Sequence, residues 1–394
     1  MPHPNPSVQS EETPKIIFVR QQFSAFGGAE LILDRILSTL ATRGVKIGLL
    51  ARSWPEDRKN IEFIRCNPPK VTRSLRESIF ARAACGMIAK LPNVFVQSHE
   101  RIPCCDIFRA GDGLHAAYLE QRLRSEAFFG RTVTKLSLFH ANTIALERRM
   151  FASERLKAVV VNSEMVAEDL ARCFGYPRER IHLAPNGIDL QRFSLDARAL
   201  LRTDSRKRLG IDLKRPTVLF VGSGFERKGL GRAIEAVAAL GKEAELVVVG
   251  SDRRPGKFVS IAKRAGIAER FHMVGPVADP LPYYAAADAL ILPTLYDPFP
   301  STVIEALACG LPVVTTKSCG ARDVVRKLDP NLVQDVLDRH GLTTALGRAI
   351  DLASNPGTRT AARKLAEEFS LENMVETFLA LYGRLIPGFG THSQ

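Results

Sequence analysis

The chain has 394 residues, 45% of them hydrophobic and 25% charged, and it carries a formal net charge of +13. This composition is that of an ordinary globular protein and excludes a disordered chain, collagen and a bare coiled coil. The length predicts two to three domains, most simply two of about 200 residues. No stretch approaches the roughly 18 uninterrupted apolar residues of a membrane-spanning helix.

Residues 1–14 are rich in proline and polar side chains and lack an apolar segment, so we expect a loose tail and no signal peptide. The seven cysteines include no C-x-x-C pair; they lie at 66, 85, 104, 105, 173, 309 and 319. We predict that all seven are reduced thiols in a reducing compartment, most of them small core residues.

Short β-branched runs alternate with amphipathic stretches along most of the chain. In the first half, a helix is predicted at about 28–43 and strands at 15–20, 46–51, 61–66, 94–97, 106–110, 157–162 and 181–184. After a polar stretch at 189–215, strands are predicted at 217–222, 245–250, 271–275, 289–293 and 312–316, and residues 343–385 are predicted to be helical throughout. This alternation predicts parallel sheets with helices on both faces.

We place the domain boundary near residue 200. The predicted organisation is a flexible tail at 1–14, a Rossmann-like first domain at 15–200, a Rossmann-like second domain at 201–370 and a C-terminal segment at 371–394 whose helix crosses back to the first domain. Open α/β sheets bind ligands at the carboxyl ends of their strands, so two doubly wound domains in series predict a central cleft between them.

In each domain, a glycine-containing turn follows the first strand. Gly27 and Gly28 open a helix, where free backbone N–H groups can bind phosphate, although a tight turn between strand and helix explains them equally well. Gly222 to Gly229 contains the adjacent cations Arg227 and Lys228. Cations are unfavourable at a helix N-terminus, so a diphosphate ligand explains this pair better than a purely structural helix start.

The segment 297–305 is the most informative part of the sequence. Asp297 and Glu305 lie eight residues apart across a proline-rich turn that leads into a helix. Ser301, Thr302 and Val303 supply backbone N–H groups suited to phosphate oxygens at that helix start. Taken alone, Glu305 also fits a capping box with Thr302, and Asp297 fits a turn before proline.

Residues 297–314 resemble the paired-acid motif of retaining family 4 glycosyltransferases, which have the GT-B fold of two Rossmann-like domains facing a cleft. The glycine loop at 27–28, the Pro185 to Asp189 segment and Arg227 to Gly229 fall in the order of that family. The turn at 223–229 and the segment 109–112 are most similar to the lipopolysaccharide core glucosyltransferases. The resemblance covers most of residues 15–385.

The resemblance implies a role for each matching position. Arg227 and Lys228 would hold the nucleotide diphosphate, and Gly27 and Gly28 would close over the phosphates from the other domain. Glu305 would accept from the ribose hydroxyls. The remaining donor-side residues are Val274 and Gly275, which would lie against the base, and Ser301, Thr302 and Val303, which would contact phosphate through backbone N–H groups. Asp297 would contact donor-sugar hydroxyls, and Asp112 would lie near the transferring sugar carbon. Two positions depart from the family pattern: Ser223 stands where many members carry Arg, and Asp297 stands where most carry Glu.

No D-x-D arrangement is placed at a strand end near the cleft and no His/Cys cluster has ligand spacing, so we expect a reaction without metal or cofactor. The resemblance implies that the leaving phosphate takes the acceptor proton. We expect a UDP-sugar as donor and a lipopolysaccharide core or related cell-surface glycan as acceptor. The acceptor should be met by the first domain, where His99 could contact it or could be an ordinary structural histidine. A nucleotide-sugar epimerase and a non-catalytic nucleotide- or glycan-binding protein remain alternatives. Nucleic acid is not an expected partner because no aromatic and basic platform is evident.

The first domain also contains basic segments that suit an anionic membrane. Residues 70–90 carry five cations against Glu77 alone, together with a helical apolar stripe of Leu75, Ile79, Ala83 and Met87. Residues 118–135 combine two phenylalanines with four cations, namely Phe128, Phe129, Arg122, Arg124, Arg131 and Lys135. The stripe is also compatible with an ordinary core. We therefore expect a cytoplasmic protein at the inner face of the cytoplasmic membrane.

Overall fold

The structure is a computed structural model that describes residues 14–21, 28–54, 61–69, 71–72, 74–125, 132, 134–240, 244–386 and 388–389. By its contacts the chain divides into two compact units. Unit 1 takes the chain up to Arg109 together with Asn142–Val160 and Val375–Gln394, and unit 2 takes Ala110–Ala141 and Val161–Met374.

The first sheet has seven strands in the order β3-β2-β1-β4-β5-β6-β7, and the pairings from β3 to β6 are parallel. The strands are β1 Lys15–Val19, β2 Ile47–Ala51, β3 Ile61–Arg65, β4 Val94–Ser98, β5 Ile107–Arg109, β6 Ala158–Val161 and β7 Ile181–Leu183. The helices in this part of the chain are α1 Gly28–Thr42, α2 Arg76–Ile88, α3 His115–Ser125, α4 Leu138–Phe151 and α5 Glu164–Phe174, with a 3₁₀ turn at Arg178–Arg180.

The second sheet has six parallel strands in the order β10-β9-β8-β11-β12-β13. They are β8 Thr217–Val221, β9 Glu245–Val249, β10 Phe271–Gly275, β11 Ala289–Leu292, β12 Val313–Thr316 and β13 Val333–Gln334. The helices are α6 Leu195–Leu209, α7 Phe225–Lys228, α8 Leu230–Ala239, α9 Pro255–Arg264, α10 Leu281–Ala286, α11 Ser301–Ala308, α12 Arg322–Leu328, α13 Arg339–Ala353, α14 Pro356–Ala366 and α15 Leu371–Leu385; 3₁₀ turns occur at Ala268–Arg270, Pro330–Leu332 and Glu367–Phe369.

The central strands of both sheets are continuous apolar runs because helices cover both of their faces. In the second sheet, β8 and β11 are neighbours, and the strand order runs outward from them in opposite directions. Such a reversal opens a crevice outside the carboxyl ends of the two strands, which is where ligands bind in this architecture. The segments that follow Val221 and Leu292 therefore occupy the position expected of a binding site.

The polar stretch after residue 189 forms helix α6, begun by Ser194, whose hydroxyl accepts from Ala197 N–H, and ended by Gly210 in the left-handed region. Arg206 on this helix is 1% exposed. Its guanidinium donates to Asp288 Oδ2 at 2.6 Å and to Ala286 O at 2.8 Å. This charged side chain of the polar stretch is therefore buried in the protein, where it donates hydrogen bonds to the residues that precede β11.

The predicted helical region 343–385 consists of three helices, the latter part of α13 followed by α14 and α15, with short breaks between them. Asn355 accepts from Gly357 N–H and begins a new helix, whose first residue is a proline that cannot continue the preceding one. Within unit 1, the last helix is fixed by a hydrogen bond of 2.7 Å from Tyr382 Oη to Gln97 Oε1. Arg109 lies over the ring of Phe378, 4.9 Å from its centroid.

The prediction that all seven cysteines are reduced is wrong, because Cys85 and Cys104 form a disulfide. The fold brings the end of α2 and the turn after β4 to a Cα–Cα distance of 5.7 Å, a proximity that spacing along the chain does not reveal. The other five cysteines are free thiols. Within the described ranges, no helix has both the length and the apolar character needed to cross a bilayer.

Candidate active site

The turn after β8 carries the two predicted cations and is held at both ends by glycine. Gly224 has a φ of 76°, its N–H donates to Ser251 O at 2.9 Å, and the next N–H, of Phe225, donates to Asp252 Oδ2 at 2.8 Å. Gly229 has a φ of 86°, and a Cβ there would lie 2.0 Å from the carbonyl oxygen of Pro293. The backbone of Arg227 and Lys228 is therefore fixed against the neighbouring segments.

This turn is also joined to the segment that follows β11. The Arg227 carbonyl accepts from Leu295 N–H at 2.8 Å and from Thr294 Oγ1 at 3.1 Å. In the other direction, Arg227 Nη1 donates to the carbonyl oxygen of Tyr296 at 3.0 Å. The cations and the predicted acid Asp297 are thus parts of one hydrogen-bonded structure at the crevice.

Asp297 is 5% exposed and lies against both cations. Lys228 Nζ donates to its Oδ2 atom, and Arg227 Nη1 lies 3.5 Å from the same oxygen. The backbone of Asp297 is held as well, because its N–H donates to Ser318 O at 3.1 Å and its carbonyl accepts from Gly320 N–H at 2.7 Å. One carboxylate therefore balances two cations and leaves an excess positive charge for an anionic ligand.

Helix α11 begins immediately after this acid. Pro300 is its N-cap and makes no side-chain capping bond, so Thr302 is not the cap of a capping box with Glu305. Val303 N–H donates to Pro300 O at 3.1 Å. Among the described residues, the N–H groups of Ser301 and Thr302 have no hydrogen-bond acceptor and remain available to an anion.

Glu305 faces Tyr284 on helix α10. Tyr284 Oη donates to Glu305 Oε2 at 2.6 Å and reaches the Thr302 carbonyl at 3.4 Å. Burial raises the pKa of the Glu305 carboxyl, while the Tyr284 hydrogen bond and the charges of Arg192 and Lys228 oppose that rise. Burial and the neighbouring carboxyl also raise the pKa of Tyr284 well above its usual value, so the phenol stays a donor.

The residues predicted for the base lie at the carboxyl end of β10. Gly275 has a φ of 92°, and its carbonyl accepts from Gly250 N–H at 2.9 Å. Val274 and Gly275 are both partly exposed. The order β10-β9-β8 places this strand end two strands away from the one that carries Arg227 and Lys228.

Asp112 is exposed, in the turn that follows β5. The next residue, Gly113, packs so closely on the 296–298 segment that a Cβ would lie 2.7 Å from both Tyr296 and Pro298. Leu114 N–H donates to Tyr296 Oη at 3.2 Å. Within unit 2 the structure thus brings the turn of Asp112 against the segment of Asp297.

Three predicted residues belong to unit 1. Gly27 lies outside the described residues, and Gly28 is the first residue of α1. His99 follows β4 and is 9% exposed; its Nε2 atom is buried and has no partner in the described part of the chain. Burial and the charges of Arg109 and Arg20 hold the pKa of His99 well below its usual range, so its imidazole is neutral.

Sequence reasoning missed the side chains that support the acids. Tyr296 donates to Asp169 Oδ2 at 3.1 Å, and Ser163 Oγ donates to Pro298 O at 2.7 Å. Asn186 Nδ2 donates to Phe299 O at 3.0 Å. Tyr296 adjoins Asp297 in the chain and could have been noticed, whereas Tyr284 lies 21 positions before Glu305 and has no local signal. No group of three or more His, Cys, Asp or Glu side chains with the arrangement of metal ligands occurs in the described ranges.

Two family models match the chain and divide it between them. The model described as Glycosyltransferase Family 4 matches residues 26–192, and the one described as Glycosyl transferases group 1 matches residues 202–375. The second match contains the cations, both acids and the start of α11.

Individual relatives agree with these matches. The lipopolysaccharide glucosyltransferase WaaG of Escherichia coli (strain K12) is 28% identical over 310 residues, which are 77% of this chain and 81% of that protein. A crystal structure of WaaG, a glycosyltransferase involved in lipopolysaccharide biosynthesis, aligns with a TM-score of 0.77 at 25% identity and covers 95% of this chain and 100% of that chain. The D-inositol 3-phosphate glycosyltransferase of Xylanimonas cellulosilytica is 32% identical over 241 residues, 56% of each chain.

Proposed function

We propose a specific reaction for this chain, which belongs to the glycosyltransferases of the group 1 and family 4 type. It has the predicted GT-B fold and is a hexosyltransferase related to WaaG. It transfers a hexose from a UDP-sugar, with retention of the anomeric configuration, to a lipopolysaccharide core or related cell-surface glycan. The name of WaaG, a lipopolysaccharide glucosyltransferase, supports the hexose and the class of acceptor.

One observation carries the donor assignment. Arg227 and Lys228 converge on Asp297 at the carboxyl ends of β8 and β11, beside two N–H groups at the start of α11 without a described acceptor. A departing nucleoside diphosphate develops negative charge on its β-phosphate. A guanidinium, an ammonium and a helix N-terminus fixed in one place stabilise that charge without reorganising.

In the transfer, one bond forms, one bond breaks and one proton changes place. The acceptor hydroxyl oxygen bonds to the anomeric carbon as the bond from that carbon to the diphosphate oxygen breaks, and the bonding pair leaves with the diphosphate. Attack on the face from which the diphosphate leaves lets its oxygen take the acceptor proton. In this scheme Asp297 orients donor-sugar hydroxyls and Asp112 lies near the reacting carbon, so neither needs to form a covalent intermediate. The two side-chain cations supply the positive charge, so the scheme requires no metal and no cofactor.

The test is transfer kinetics with Arg227→Ala and Lys228→Ala. We expect each substitution to lower kcat/KM for the donor by about 100-fold, as for the loss of one group that stabilises a developing anion. Lys257→Ala is the matched control, because it removes an ion pair to Glu226, the residue before Arg227 in the same turn, without touching Asp297. Unchanged donor turnover in both site variants would contradict the assignment.

The base and the reaction type need separate measurements. A thermal-shift panel of UDP-, GDP- and ADP-sugars identifies the nucleotide, because a ligand that binds the native state raises the apparent melting temperature. We expect the UDP-sugar to give the largest shift. Consumption of that donor only in the presence of an acceptor glycan supports transfer, whereas acceptor-independent conversion of the sugar indicates an epimerase.

We also propose that unit 1 contacts the inner face of the cytoplasmic membrane, an anionic surface, through the segment that contains α2. Phe80, Ala81, Ala84 and Ile88 form the core face of α2. Val71 and Leu75 are 62% and 43% exposed, and Arg76, Arg82 and Lys90 are exposed on the same segment. Apolar side chains flanked by cations favour an anionic lipid surface.

Flotation with anionic and zwitterionic vesicles tests this proposal. Leu75→Glu should abolish binding to anionic vesicles, while Leu200→Glu, at a leucine that is 81% exposed on helix α6, should leave it unchanged. Equal binding of both variants would contradict the surface. Of the second predicted segment, Phe128, Phe129 and Arg131 lie outside the described residues. Arg124 there makes an ion pair of 3.2 Å with Asp335.

A further inference from the structure

Glu305 presents its two carboxylate oxygens to different surroundings. Oε2 accepts the hydrogen bond of Tyr284 Oη at 2.6 Å. Among the described residues no donor reaches Oε1, and the residue is partly exposed. One oxygen is therefore held by the protein while the other remains available to a hydroxyl group of a ligand.

Tyr284 is built to hold that orientation. It is fully buried, and its ring packs edge-on against Phe193 with centroids 5.7 Å apart and planes at 86°. Its hydroxyl also reaches the Thr302 carbonyl at 3.4 Å, one turn before Glu305 on the same helix. A rigid donor to a carboxylate in a low-dielectric setting fixes the side-chain rotamer more firmly than the same contact in water.

We propose that Tyr284 is a positioning residue that holds Glu305 so that its free oxygen accepts from the pentose hydroxyls, and that it thereby sets a preference for ribonucleotides over dideoxynucleotides. This inference rests on the proposed function, with Glu305 in the role that the family resemblance implies for it, which is to accept from the ribose hydroxyls of the donor. Without the phenol, the carboxylate can rotate, and the geometry that distinguishes a hydroxyl from a hydrogen is lost.

The experiment is a thermodynamic cycle in which one change is made in the protein and one in the nucleotide. Wild type and Tyr284→Phe are each titrated calorimetrically with UDP and with 2′,3′-dideoxy-UDP. Because a carboxylate–hydroxyl hydrogen bond is charge-assisted, we expect wild type to prefer UDP by about tenfold or more. In Tyr284→Phe the preference should fall to about two- to threefold, through weaker binding of UDP at unchanged affinity for the dideoxy analogue.

Two further variants make the result specific. Tyr283→Phe is the matched control, since Tyr283 is the adjacent residue of the same helix and, in the described part of the chain, makes no hydrogen bond to Glu305. It should keep the wild-type preference. If Tyr284→Phe fails to fold, Phe193→Leu provides the test, because it keeps the phenol and removes the ring that orients it. Phe193→Leu should also reduce the preference for UDP over 2′,3′-dideoxy-UDP.

The pH dependence gives a readout that general destabilisation would not move. The Tyr284 hydrogen bond lowers the pKa of Glu305, so its removal should raise that pKa and make the preference for UDP disappear at a higher pH than in wild type. An unchanged preference in Tyr284→Phe would overturn the positioning role alone. A wild type that binds neither nucleotide would overturn the donor assignment itself.

Discussion

Lys228 and Asp297 form a nearly enclosed ion pair: their side chains are 12% and 8% exposed, and Arg227 approaches the same carboxylate oxygen at 3.5 Å with a side chain that is 39% exposed. The two cations therefore differ in how they stabilise the protein itself. Lys228 compensates a buried charge, whereas Arg227 adds a screened contact at the surface.

The first prediction separates these two contributions. Lys228→Met leaves the buried Asp297 with the more distant guanidinium alone and should lower the free energy of unfolding by about 3 kcal/mol. Arg227→Met removes a largely exposed ion pair and should cost about 1 kcal/mol or less. Urea unfolding of both variants measures the difference. Equal losses would show that burial does not distinguish the two pairs.

Glu305 supplies the second prediction, on pH. Burial raises the pKa of this carboxyl, so the folded state binds its proton more tightly than the unfolded chain does. The stability that Glu305 contributes is thus complete at pH values below its unfolded pKa and is lost as the pH rises through its folded pKa. Glu305→Gln should accordingly be more stable than wild type at pH 7 without ligand, and the gain should vanish in acid.

The same substitution should weaken UDP binding by about tenfold, because the amide accepts a weaker hydrogen bond than the carboxylate. Urea titrations at pH 7 and pH 4 measure the stability change, and calorimetry measures the binding. A Glu305→Gln protein that is less stable than wild type at pH 7 would contradict the burial argument. Such a trade between stability and binding is expected of a functional acid.

Tyr296 gives a prediction for the two candidate catalytic acids. Its hydroxyl accepts from Leu114 N–H and donates to Asp169, and so holds the turn of Asp112 beside Asp297. Tyr296→Phe should lower kcat by about tenfold through a displaced acid, with little change in donor KM. Tyr118→Phe, whose ring packs on Tyr296 at 6.5 Å, is the control and should behave as wild type. Identical kcat values would remove the positioning role of Tyr296.

A pair of glycines tests the close approach behind the cation turn. Gly229→Ala forces a Cβ to 2.0 Å from the Pro293 carbonyl at a φ of 86°, and we expect a loss of more than about 3 kcal/mol or failure to fold. Gly266→Ala has a similar φ of 74° but open space around the new Cβ, so it should cost only about 1 kcal/mol. Thermal unfolding distinguishes the two. Similar melting temperatures of the two variants would show that the segment after β11 can move to accept the new Cβ at little cost in stability.

The disulfide predicts a redox-dependent stability. Cys85 and Cys104 are 19 residues apart, and closing a loop of that size stabilises a protein by about 3 kcal/mol. Cys85→Ser should lower stability by that amount under oxidising conditions and by much less in the presence of a reducing agent. Peptide mapping of the oxidised protein should recover the linked pair; recovery of both as free thiols would disprove the bond.

Much of the fold was predictable because its strands are short apolar runs ended by glycine or polar residues. Every predicted strand is present, whereas β13 was missed because a strand of two residues, Val333–Gln334, has no periodicity. The polar stretch that contains Arg206 gave no sign of burial, since its partners, Asp288 and the carbonyl of Ala286, lie more than 70 residues away.

The residues of the candidate site were recognisable in the sequence where they form local motifs. Arg227 with Lys228, and Asp297 with Glu305, form recognisable motifs, and the strand order brings the first pair to Asp297. Tyr284 was not predictable, because its partnership with Glu305 depends on how two helices pack and not on their spacing in the chain. The Cys85–Cys104 pairing is of the same kind.

In the proposed donor site, the carboxylate of Asp297 is the counter-ion of both Lys228 and Arg227. A newcomer must displace it from the ammonium and guanidinium groups, so capture is an exchange between anions and not the neutralisation of bare cations. A small solitary ion such as inorganic phosphate gains little from that exchange, whereas a ligand that also engages neighbouring subsites gains enough to complete it. The net charge of +13 attracts anions without distinction, so on this proposal the selection among them comes from the exchange at Asp297.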